Sequence, residues 1–356
     1  MVLDRRWLRQ LLVGPALFVV MGLLYQCGGD QWAEYSVAVA RSTSISGSFG
    51  PGGGYRLVRE RTVGRPEGSE QEVLGFVSDA AFGPGGTVYV ADASLQRIVV
   101  FSGDGRFLRT FGRSGMGPGE LVSPTSLTFV GDTLFVYDAR QGRISVFDTA
   151  GRSLRAFSSP STYMRHIRAG PDQTLLMTLA ADSFVIHQTR ADGALVRRMI
   201  PRAPIEESLG SDVPEPGPIC VLADQLRYAN PWLYELVDID LTSGREIRAL
   251  RYPSEVLRPV HSREAVPSPS VRGGAVLGLV CGERFSLIGY IDRTTGLIQY
   301  DLLDPSGTPL GRLRFARDGN DDYPGFVVDI DGDSVLAFRS RPFPQVSIWR
   351  VRAPMD

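Results

Sequence analysis

A stretch of 26 residues occurs twice in this chain, 46 positions apart. Residues 87–112 read TVYVADASLQRIVVFSGDGRFLRTFG, and residues 133–158 read TLFVYDARQGRISVFDTAGRSLRAFS. Thirteen of the 26 positions are identical. Because chance does not produce such agreement, the chain contains a repeated structural unit, and this repeat constrains the fold more than any other feature.

Each copy contains three short apolar runs, and a fourth run precedes it. In the first copy these are GFVSDAAF, TVYVAD, RIVVFS and RFLRTFG, and GDG at 103–105 predicts a tight hairpin before the last. The unit is therefore predicted to be four antiparallel strands in about 45 residues. Runs such as IVVF are apolar at consecutive positions, which indicates strands covered on both faces. Small sheets of this kind stack radially and close into a β-propeller.

The hairpin glycine of the unit can be followed along the chain, at spacings of 46, 42, 51 and 63 residues. After the fifth copy, GFVVDI, SVLAFRS and QVSIWRV supply only three strands. YRLVRERTV at 55–63 is predicted to supply the fourth, because an N-terminal strand in the last blade leaves no open sheet edge. The predicted fold class is all-β: a six-bladed propeller of four-stranded antiparallel blades with the N-terminal strand closing the last blade. The five hairpin glycines are Gly105, Gly151, Gly193, Gly244 and Gly307.

The N-terminus has the layout of an export signal. Three arginines within the first nine residues precede an apolar run from Leu11 to Tyr25, and Cys27 follows. A basic head ahead of an apolar run is typical of a secretory signal. The position of Cys27 resembles the lipidation site of bacterial lipoproteins. A lipoprotein, an uncleaved anchor and plain secretion all stay open, and all three predict export.

Three regions are predicted along the chain. Residues 1–27 form the export segment, and residues 28–54 are a flexible tether because they are small, polar and rich in Gly and Ser. Residues 55–356 form the propeller. We expect a monomer anchored at the membrane in the cell envelope, in the periplasm or on the outer surface. Cys220 and Cys281 either form a disulfide in an oxidising compartment or stay as two buried thiols.

Composition excludes several classes of function. The net charge of −1 and the pI of about 6.4 argue against binding to nucleic acid. All 38 basic residues are arginine, so Schiff-base lysines and P-loop phosphate binding are excluded. The sequence contains no G-x-S-x-G elbow, no H-E-x-x-H motif and no paired-cysteine zinc spacing. No catalytic residue is therefore assigned.

Asp92 and Asp138 end the second strand of their blades at equivalent positions. They either cap the following turn by bonding backbone amides, or they hold calcium or a substrate near the mouth of the channel. Their repetition favours the capping role, because a single active site does not need the residue in every blade. Arg97 and Arg143 repeat in the same way and are expected to pair with the two aspartates.

The run YMRHIRAG is predicted to be the innermost strand of the third blade, where Arg165, His166 and Arg168 could face the channel. Since no second ligand stands at metal-binding spacing from His166, a structural or surface role is favoured over a metal role. The two arginines could form a local basic patch. His187 is predicted in a strand within the blade and His261 in a long loop. The acidic cluster DGNDDY (318–323) is predicted to be a solvated loop, with weak cation binding as the alternative.

VYVADASLQRIVVFSGDGRFLRTFG and GRSGMGPGELVSP resemble NHL repeats of six-bladed propellers, most closely those of exported bacterial members with a lipoprotein-type N-terminus. The resemblance is detailed over about 72–158 and follows only the pattern from about 200 onward. It implies a ring with a central channel and with loops on two faces. Most members with this repeat are interaction platforms, whereas relatives of similar shape include amidating lyases and lactonases that hold a metal at the channel.

The favoured function is an exported, membrane-tethered module that binds a protein, peptide or glycan on one face of the ring, without a cofactor and without nucleic acid. The alternative is a metal-dependent hydrolase or lyase with calcium or zinc at the mouth of the channel. The sequence does not decide whether the protein is an enzyme. The candidate binding residues are Asp92, Arg97, Asp138, Arg143, Arg165, His166 and Arg168, and the candidate lipidation site is Cys27.

Overall fold

The computed structural model of this chain describes residues 43–45, 54–64, 71–161, 163–180, 182–201, 216–230, 234–252, 276–291, 298–315, 324–340 and 342–354. These residues form strands, turns and one 3-10 turn at Pro84–Gly86. None of them forms a helix that is long and apolar enough to cross a membrane. The apolar run from Leu11 to Tyr25 and the candidate lipidation site Cys27 lie outside the described residues.

Six sheets of four antiparallel strands make up the body of the protein. In blades 1–5 the chain runs from the first to the fourth strand by adjacent antiparallel pairing. Blade 1 is β3(Val77–Gly83), β4(Thr87–Asp92), β5(Arg97–Phe101) and β6(Phe107–Phe111); blade 2 is β9(Pro124–Val130), β10(Thr133–Asp138), β11(Arg143–Asp148) and β12(Ser153–Ser158); blade 3 is β13(Met164–Ala169), β14(Thr174–Leu179), β15(Phe184–Arg190) and β16(Leu195–Pro201). In the connection between blades 1 and 2, the short strands β7(Arg113–Ser114) and β8(Glu120–Leu121) pair in parallel.

The second half of the chain repeats the arrangement. Blade 4 is β17(Ile219–Leu222), β18(Gln225–Ala229), β19(Glu235–Asp240) and β20(Glu246–Arg251); blade 5 is β21(Val276–Cys281), β22(Ser286–Ile291), β23(Ile298–Leu303) and β24(Pro309–Phe315); blade 6 is β25(Phe326–Asp331), β26(Ser334–Arg339), β27(Gln345–Arg352) and β2(Arg56–Val63). The first strands of neighbouring blades contact one another in a closed cycle from β3 through β9, β13, β17, β21 and β25 back to β3. They therefore surround a central axis, and the predicted six-bladed ring is confirmed.

The N-terminal strand closes the ring as predicted. β2 pairs antiparallel with β27, from Arg56 opposite Arg352 to Val63 opposite Val346. Val63 is buried in an apolar cluster that also contains Phe101 of blade 1 and Ile348 of blade 6. The pairing therefore completes blade 6 and seals its interface with blade 1.

The hairpin between the third and fourth strands needs its glycine in each of the first five blades. The φ angles of these glycines are +88°, +87°, +90°, +73° and +90°, which side chains rarely adopt. A Cβ atom at Gly151 would also lie 2.5 Å from the ring of Phe111 in the preceding blade. The glycines are Gly105, Gly151, Gly193, Gly244 and Gly307.

An arginine from the preceding blade latches each of these five hairpins. In every case a guanidinium donates to the carbonyl oxygen two residues before the hairpin glycine, so the hairpin is held against its neighbour. The latch gives a backbone acceptor of the turn a donor from the neighbouring blade, and the Thr149 carbonyl also accepts from the Tyr89 hydroxyl at 3.0 Å. The pairs are Arg109 to Thr149, Arg155 to Ala191 at 3.1 Å, Arg197 to Thr242 at 2.9 Å, Arg227 to Pro305 at 3.0 Å and Arg61 to Gly103.

Cys220 and Cys281 form a disulfide, with their Cα atoms 5.6 Å apart. The bond joins β17 to β21, the first strands of blades 4 and 5. The structure thus decides between the two alternatives that the sequence left open, and the crosslink ties two blades together at the inner ring.

Residues 43–45 lie against blade 4. β1(Thr43–Ser44) pairs in parallel with the outer strand β20, and the Ile45 amide donates to the Arg251 carbonyl at 2.8 Å. These residues fall within the range 28–54, for which the sequence predicts a tether. The rest of that range, apart from Gly54, lies outside the described residues.

Candidate binding surface

We call the side of the ring on which the first strand of each blade begins the front face. Because successive strands alternate in direction, the turns between second and third strands and the connections between blades lie on the front face. The other two hairpins of each blade lie on the opposite side, the back face. The described residues of the front face include 71–76, 93–96, 112–123, 139–142, 159–161 and 163.

Five of the six first strands carry a β-bulge near the front face. One extra residue interrupts the register in β3, β9, β13, β21 and β25, whereas the described register of β17 is regular. A bulge changes the direction of the side chains that flank it. Residues that stand at the same distance from the bulge are therefore equivalent positions in the five strands. The residues after the bulge are Asp79, Ser126, His166, Gly278 and Asp329.

Asp79 and Asp329 bond the neighbouring blade through this position. Asp79 accepts hydrogen bonds from the Ser126 hydroxyl at 2.9 Å and from the Leu127 amide at 3.1 Å, both in blade 2. Asp329 accepts from the Phe82 amide of blade 1 at 2.7 Å. Both carboxylates thus hold adjacent first strands together, and their primary role is in the wall of the channel.

Arg168 reaches across the centre of the ring. It starts from blade 3, and its Nη2 donates to the Val328 carbonyl of blade 6 at 3.3 Å. Its Nη1 lies 3.7 Å from an Asp79 carboxylate oxygen of blade 1. Since blades 3 and 6 are opposite each other in a six-membered ring, this side chain fills part of the channel. The predicted location of Arg168 in the channel is supported by these contacts.

His166 lies beside two arginines at the same level. Burial lowers the pKa of His166 well below its ordinary value, and the charges of Arg168 and Arg165 lower it further. The imidazole is therefore neutral at pH 7, and its backbone amide donates to the Thr178 hydroxyl at 3.0 Å. Within the described part of the chain, no three His, Cys, Asp or Glu side chains are placed to hold a metal ion.

The carboxyl group of Asp329 has an unusual affinity for protons. Burial raises its pKa from 3.8 to about 6, while the Phe82 amide and Arg168 favour the charged form and Asp79 opposes it. The pKa of Asp79 is also raised by burial, against the effect of Arg168. The charge of Arg168 therefore stabilises the ionised form of two carboxyl groups in the channel, Asp79 and Asp329.

Replacing Asp329 with asparagine is expected to change how stability depends on pH. Because the folded-state pKa of Asp329 is about 6 and its ordinary value is 3.8, the folded protein binds this proton more tightly. The stabilisation from this proton is fully present below pH 3.8 and is lost as the pH rises through about 6. The unfolding free energy of wild type minus that of Asp329→Asn should therefore fall between pH 4.5 and pH 7 in urea titrations.

The exposed Asp104 provides a control of opposite sign. Its pKa is lowered, chiefly by the Ser102 hydroxyl, so its contribution to stability is lost as the pH falls. The unfolding free energy of wild type minus that of Asp104→Asn should rise with pH or stay constant. A wild-type minus Asp329→Asn difference that does not change with pH would contradict the assignment of a raised pKa.

Asp92 and Asp138 cap the turns that follow them on the front face. The buried Asp92 carboxylate accepts from the amides of Gly75 and Phe76 at 3.0 Å each and of Leu95 at 3.2 Å. Asp138 accepts from Val122 at 2.6 Å and from Ser123 and Gln141 at 3.1 Å. With their oxygens engaged by backbone amides, both residues shape the front face rather than present a charge on it.

Arg97 and Arg143 bind backbone carbonyls of the preceding connection. Arg97 donates to the Val73 oxygen at 2.7 Å and lies 3.7 Å from Asp92. Arg143 donates to Met116, Gly117 and Glu120 oxygens at 2.8–2.9 Å. The two arginines thus tie the connection between blades to the turn below it. Among the described contacts, Arg143 is paired with these carbonyls and not with Asp138.

Among the residues that the structure describes, five large apolar side chains are exposed on the front face. Three of them, Phe76, Tyr163 and Phe326, stand at the start of the first strands of blades 1, 3 and 6. They therefore lie around the mouth of the channel. Leu95 and Met116 extend the apolar surface outward from blade 1. The exposed fractions are 52% for Phe76, 67% for Tyr163, 37% for Phe326, 45% for Leu95 and 74% for Met116.

The aromatic positions at the channel mouth were missed by sequence reasoning, as were Asp79 and Asp329. Aligning GFVSDAAF, YMRHIRAG and GFVVDI places the three aromatic residues in one column and Asp79, His166 and Asp329 in another. That alignment was the available signal.

His187 lies in β15 within blade 3 as predicted, 3.4 Å from Asp182. His261 and the cluster at 318–323 lie outside the described residues.

Six four-stranded blades, with their first strands meeting around a central axis, define this chain as a six-bladed β-propeller. A protein family described as "6-bladed beta-propeller" matches residues 82–160, which are blade 2 and most of blade 1. No curated protein matches the chain. The NHL resemblance and the lipoprotein-type N-terminus stay predictions.

Among solved structures, a Bacteroides fragilis protein described as exported is similar to this chain at a TM-score of 0.63 and 12% identity, over 88% of this chain and 99% of that one. Virginiamycin B lyase from Staphylococcus aureus has a TM-score of 0.49 and 13% sequence identity, over 80% of this chain and 82% of that one. Kuenenia stuttgartiensis hydrazine synthase has a TM-score of 0.47 and 12% sequence identity, over 77% of this chain and 76% of that one. At such identities the likeness concerns the fold alone, and the last two scores add nothing to it.

Proposed function

We propose that this protein is an exported β-propeller, held at the membrane by its N-terminal segment, that binds a polypeptide partner on the front face. The observation that carries the proposal is the group of exposed aromatic side chains, Phe76, Tyr163 and Phe326, around the mouth of the channel. Exposed apolar clusters bordered by polar residues mark interaction sites, and aromatic residues and methionine are enriched at the centres of interfaces.

The backbone beneath this surface is rigid. The Asp92 carboxylate holds the amides of Phe76 and Leu95 together, and the Arg143 guanidinium holds the carbonyl of Met116 at 2.9 Å. A surface that is held in place before binding loses little conformational freedom when a partner arrives. This rigidity supports a binding function for the front face.

A polypeptide suits this surface better than a glycan. Sugar rings stack on aromatic side chains, but the exposed aliphatic side chains of Leu95 and Met116 offer nothing to sugar hydroxyl groups. For the metal-dependent hydrolase or lyase, the described residues contain no metal-binding cluster. Among the described residues, that second candidate has no structural observation in its favour.

Export is supported by three observations. The N-terminal basic and apolar pattern is typical of an export signal, and the Cys220–Cys281 disulfide fits an oxidising compartment. The similar Bacteroides fragilis protein is itself described as exported. Lipidation of Cys27 would place the propeller at the membrane surface, where its front face could meet another envelope protein.

Photocrosslinking in the native host tests the proposed function. A benzophenone amino acid at Met116 of the front face is expected to give one discrete protein adduct, recovered with the membrane fraction. The same probe at Asp172, which is exposed on the back face, is the control and should give no such adduct. In the Cys27→Ala variant the adduct should leave the membrane fraction. Equal labelling from both positions, or a glycan adduct from Met116, would contradict the proposal.

A further inference from the structure

We infer that the partner segment is acidic and carries apolar side chains, and that it binds across the front face of blades 1–3. The inference rests on the proposed function, because it names the chemistry of the partner at the same surface. It is carried by a difference in charge between the two faces of the ring, combined with the position of the exposed apolar residues.

The front face presents positive charge. Arg140 and Arg165 are exposed there, in the second turn of blade 2 and at the bulge of blade 3. Arg113, in the connection after blade 1, is exposed as well and is paired with Glu120 at 2.8 Å. Among the described residues of this face, no carboxylate is exposed to the same degree. The charge that the described residues of blades 1–3 expose on this face is therefore positive.

Three carboxylates in the described part of the front face are engaged within the fold. Asp92 and Asp138 are buried against backbone amides, as described above. The Glu120 carboxylate accepts from the Gly117 amide at 2.7 Å and from Arg113 at 2.8 Å, and these two bonds lower its pKa. Their oxygens are occupied by hydrogen bonds within the turns, so the exposed charged side chains among the described residues of this face are arginines.

The back face has the opposite character. The turns between first and second strands carry exposed acidic residues in five of the six blades, at Asp132, Asp172, Asp224, Glu283 and Asp331. Exposed arginines of the back face, such as Arg152 and Arg284, are paired with Asp148 and Asp333. An acidic molecule is thus repelled by one face and attracted by the other, which directs it to the front.

The arginines and the apolar side chains are close neighbours in the chain. Tyr163 stands two residues before Arg165, and Met116 lies three residues after Arg113 in the same connection. An extended peptide that alternates acidic and apolar residues can place both kinds of side chain over such a surface, since its side chains repeat every second residue. Arginine with aromatic anchors is also the composition found at energetically important interface positions.

A random library of twelve-residue peptides displayed on phage, selected on the full-length protein, tests the inference. Selected peptides are expected to be more negatively charged than the starting library and to contain aromatic or large aliphatic residues. The dissociation constant of the best peptide, measured by fluorescence anisotropy, should rise at least about tenfold in Arg140→Glu/Arg165→Glu. It should also rise with added salt, because exposed charges are screened.

Arg284→Glu on the back face is the matched control, and it should leave the dissociation constant unchanged. Selected peptides without a negative bias, or peptides whose binding ignores the front-face double variant, overturn the inference. A single-stranded oligonucleotide that binds more tightly than the best peptide overturns it as well. The photocrosslinking at Met116 does not depend on the charge of the partner, so an adduct whose crosslinked segment is neutral or basic would overturn this inference and leave the proposed function standing.

Discussion

Replacing Arg227 with methionine is expected to lower the free energy of unfolding by about 3–5 kcal/mol. Arg227 is completely buried, and its guanidinium binds both oxygens of Asp238, at 2.7 and 2.9 Å. The same group donates to the Pro305 carbonyl of blade 5 at 3.0 Å. Methionine has a similar length but no charge, so the variant takes the Arg227 donor away from the buried Asp238 carboxylate and from the Pro305 carbonyl.

The loss is expected to be large because the two partners are left behind. Removing one member of a buried ion pair exposes the full cost of burying the other, whereas removing both is often nearly neutral. Arg248 also contacts Asp238, at 2.8 Å, and will keep part of the carboxylate's stabilisation. Arg227→Met/Asp238→Leu should therefore recover much of the loss seen in Arg227→Met.

Urea denaturation followed by circular dichroism measures the effect. The control is Arg284→Met, because Arg284 is 70% exposed and pairs with Asp333 at 3.1 Å on the surface. The free energy of unfolding of Arg284→Met should stay within about 1 kcal/mol of the wild-type value. If Arg227→Met is no less stable than Arg284→Met, the latch between blades 4 and 5 contributes little, and the account of blade packing given for this region is wrong.

The hairpin latches show where sequence patterns stop being informative. The arginine after the exposed apolar residue of the fourth strand recurs as Arg109, Arg155, Arg197 and Arg248. Three of these latch the next blade, but Arg248 does not. Its cross-strand neighbour is Asp238, where blades 1 and 2 have Val100 and Val146. The carboxylate captures Arg248 within its own blade, and Arg227 takes over the latch.

The overall ring could be predicted because its signals are local. Three features can each be recognised in the sequence without knowing which residues pack against them. They are a glycine at a hairpin, a run of apolar residues and a missing strand in the last blade. The partners of Arg109 or Asp79 lie in a different blade, and their choice depends on the pairing register at both ends. A bulge of one residue in β13 decides that His166, and not Arg165, stands level with Asp79.

The front face was harder to predict than the ring for a related reason. Phe76 and Val77 are both apolar and adjacent, yet Phe76 is half exposed and Val77 is buried. The difference arises because Phe76 precedes the strand and its amide is held by Asp92 at 3.0 Å, which leaves its ring outside the sheet. The sequence favoured a capping role for Asp92, but which residue it would hold in an exposed position required the structure.

Replacing residues 55–63 with nine residues of glycine and serine is expected to destabilise the protein by roughly 4–6 kcal/mol, the second large effect. The substitution removes β2 from blade 6 while the rest of the chain stays intact. Val63 is buried at the interface with blade 1, and Tyr55 and Leu57 are half-buried against the core of blades 5 and 6. Loss of these three side chains accounts for the estimate, and β27 is left with an open edge that can pair with other chains.

A synthetic peptide of residues 54–64, added in trans, should raise the thermal midpoint of this variant, because it can pair with the open edge of β27 in the register from Arg56 opposite Arg352 to Val63 opposite Val346. A peptide of the same composition in scrambled order is the control and should have no effect. Size-exclusion chromatography should show aggregation of the variant that the native peptide suppresses. A variant that melts like wild type, without added peptide, would mean that the ring does not depend on its N-terminal strand for closure.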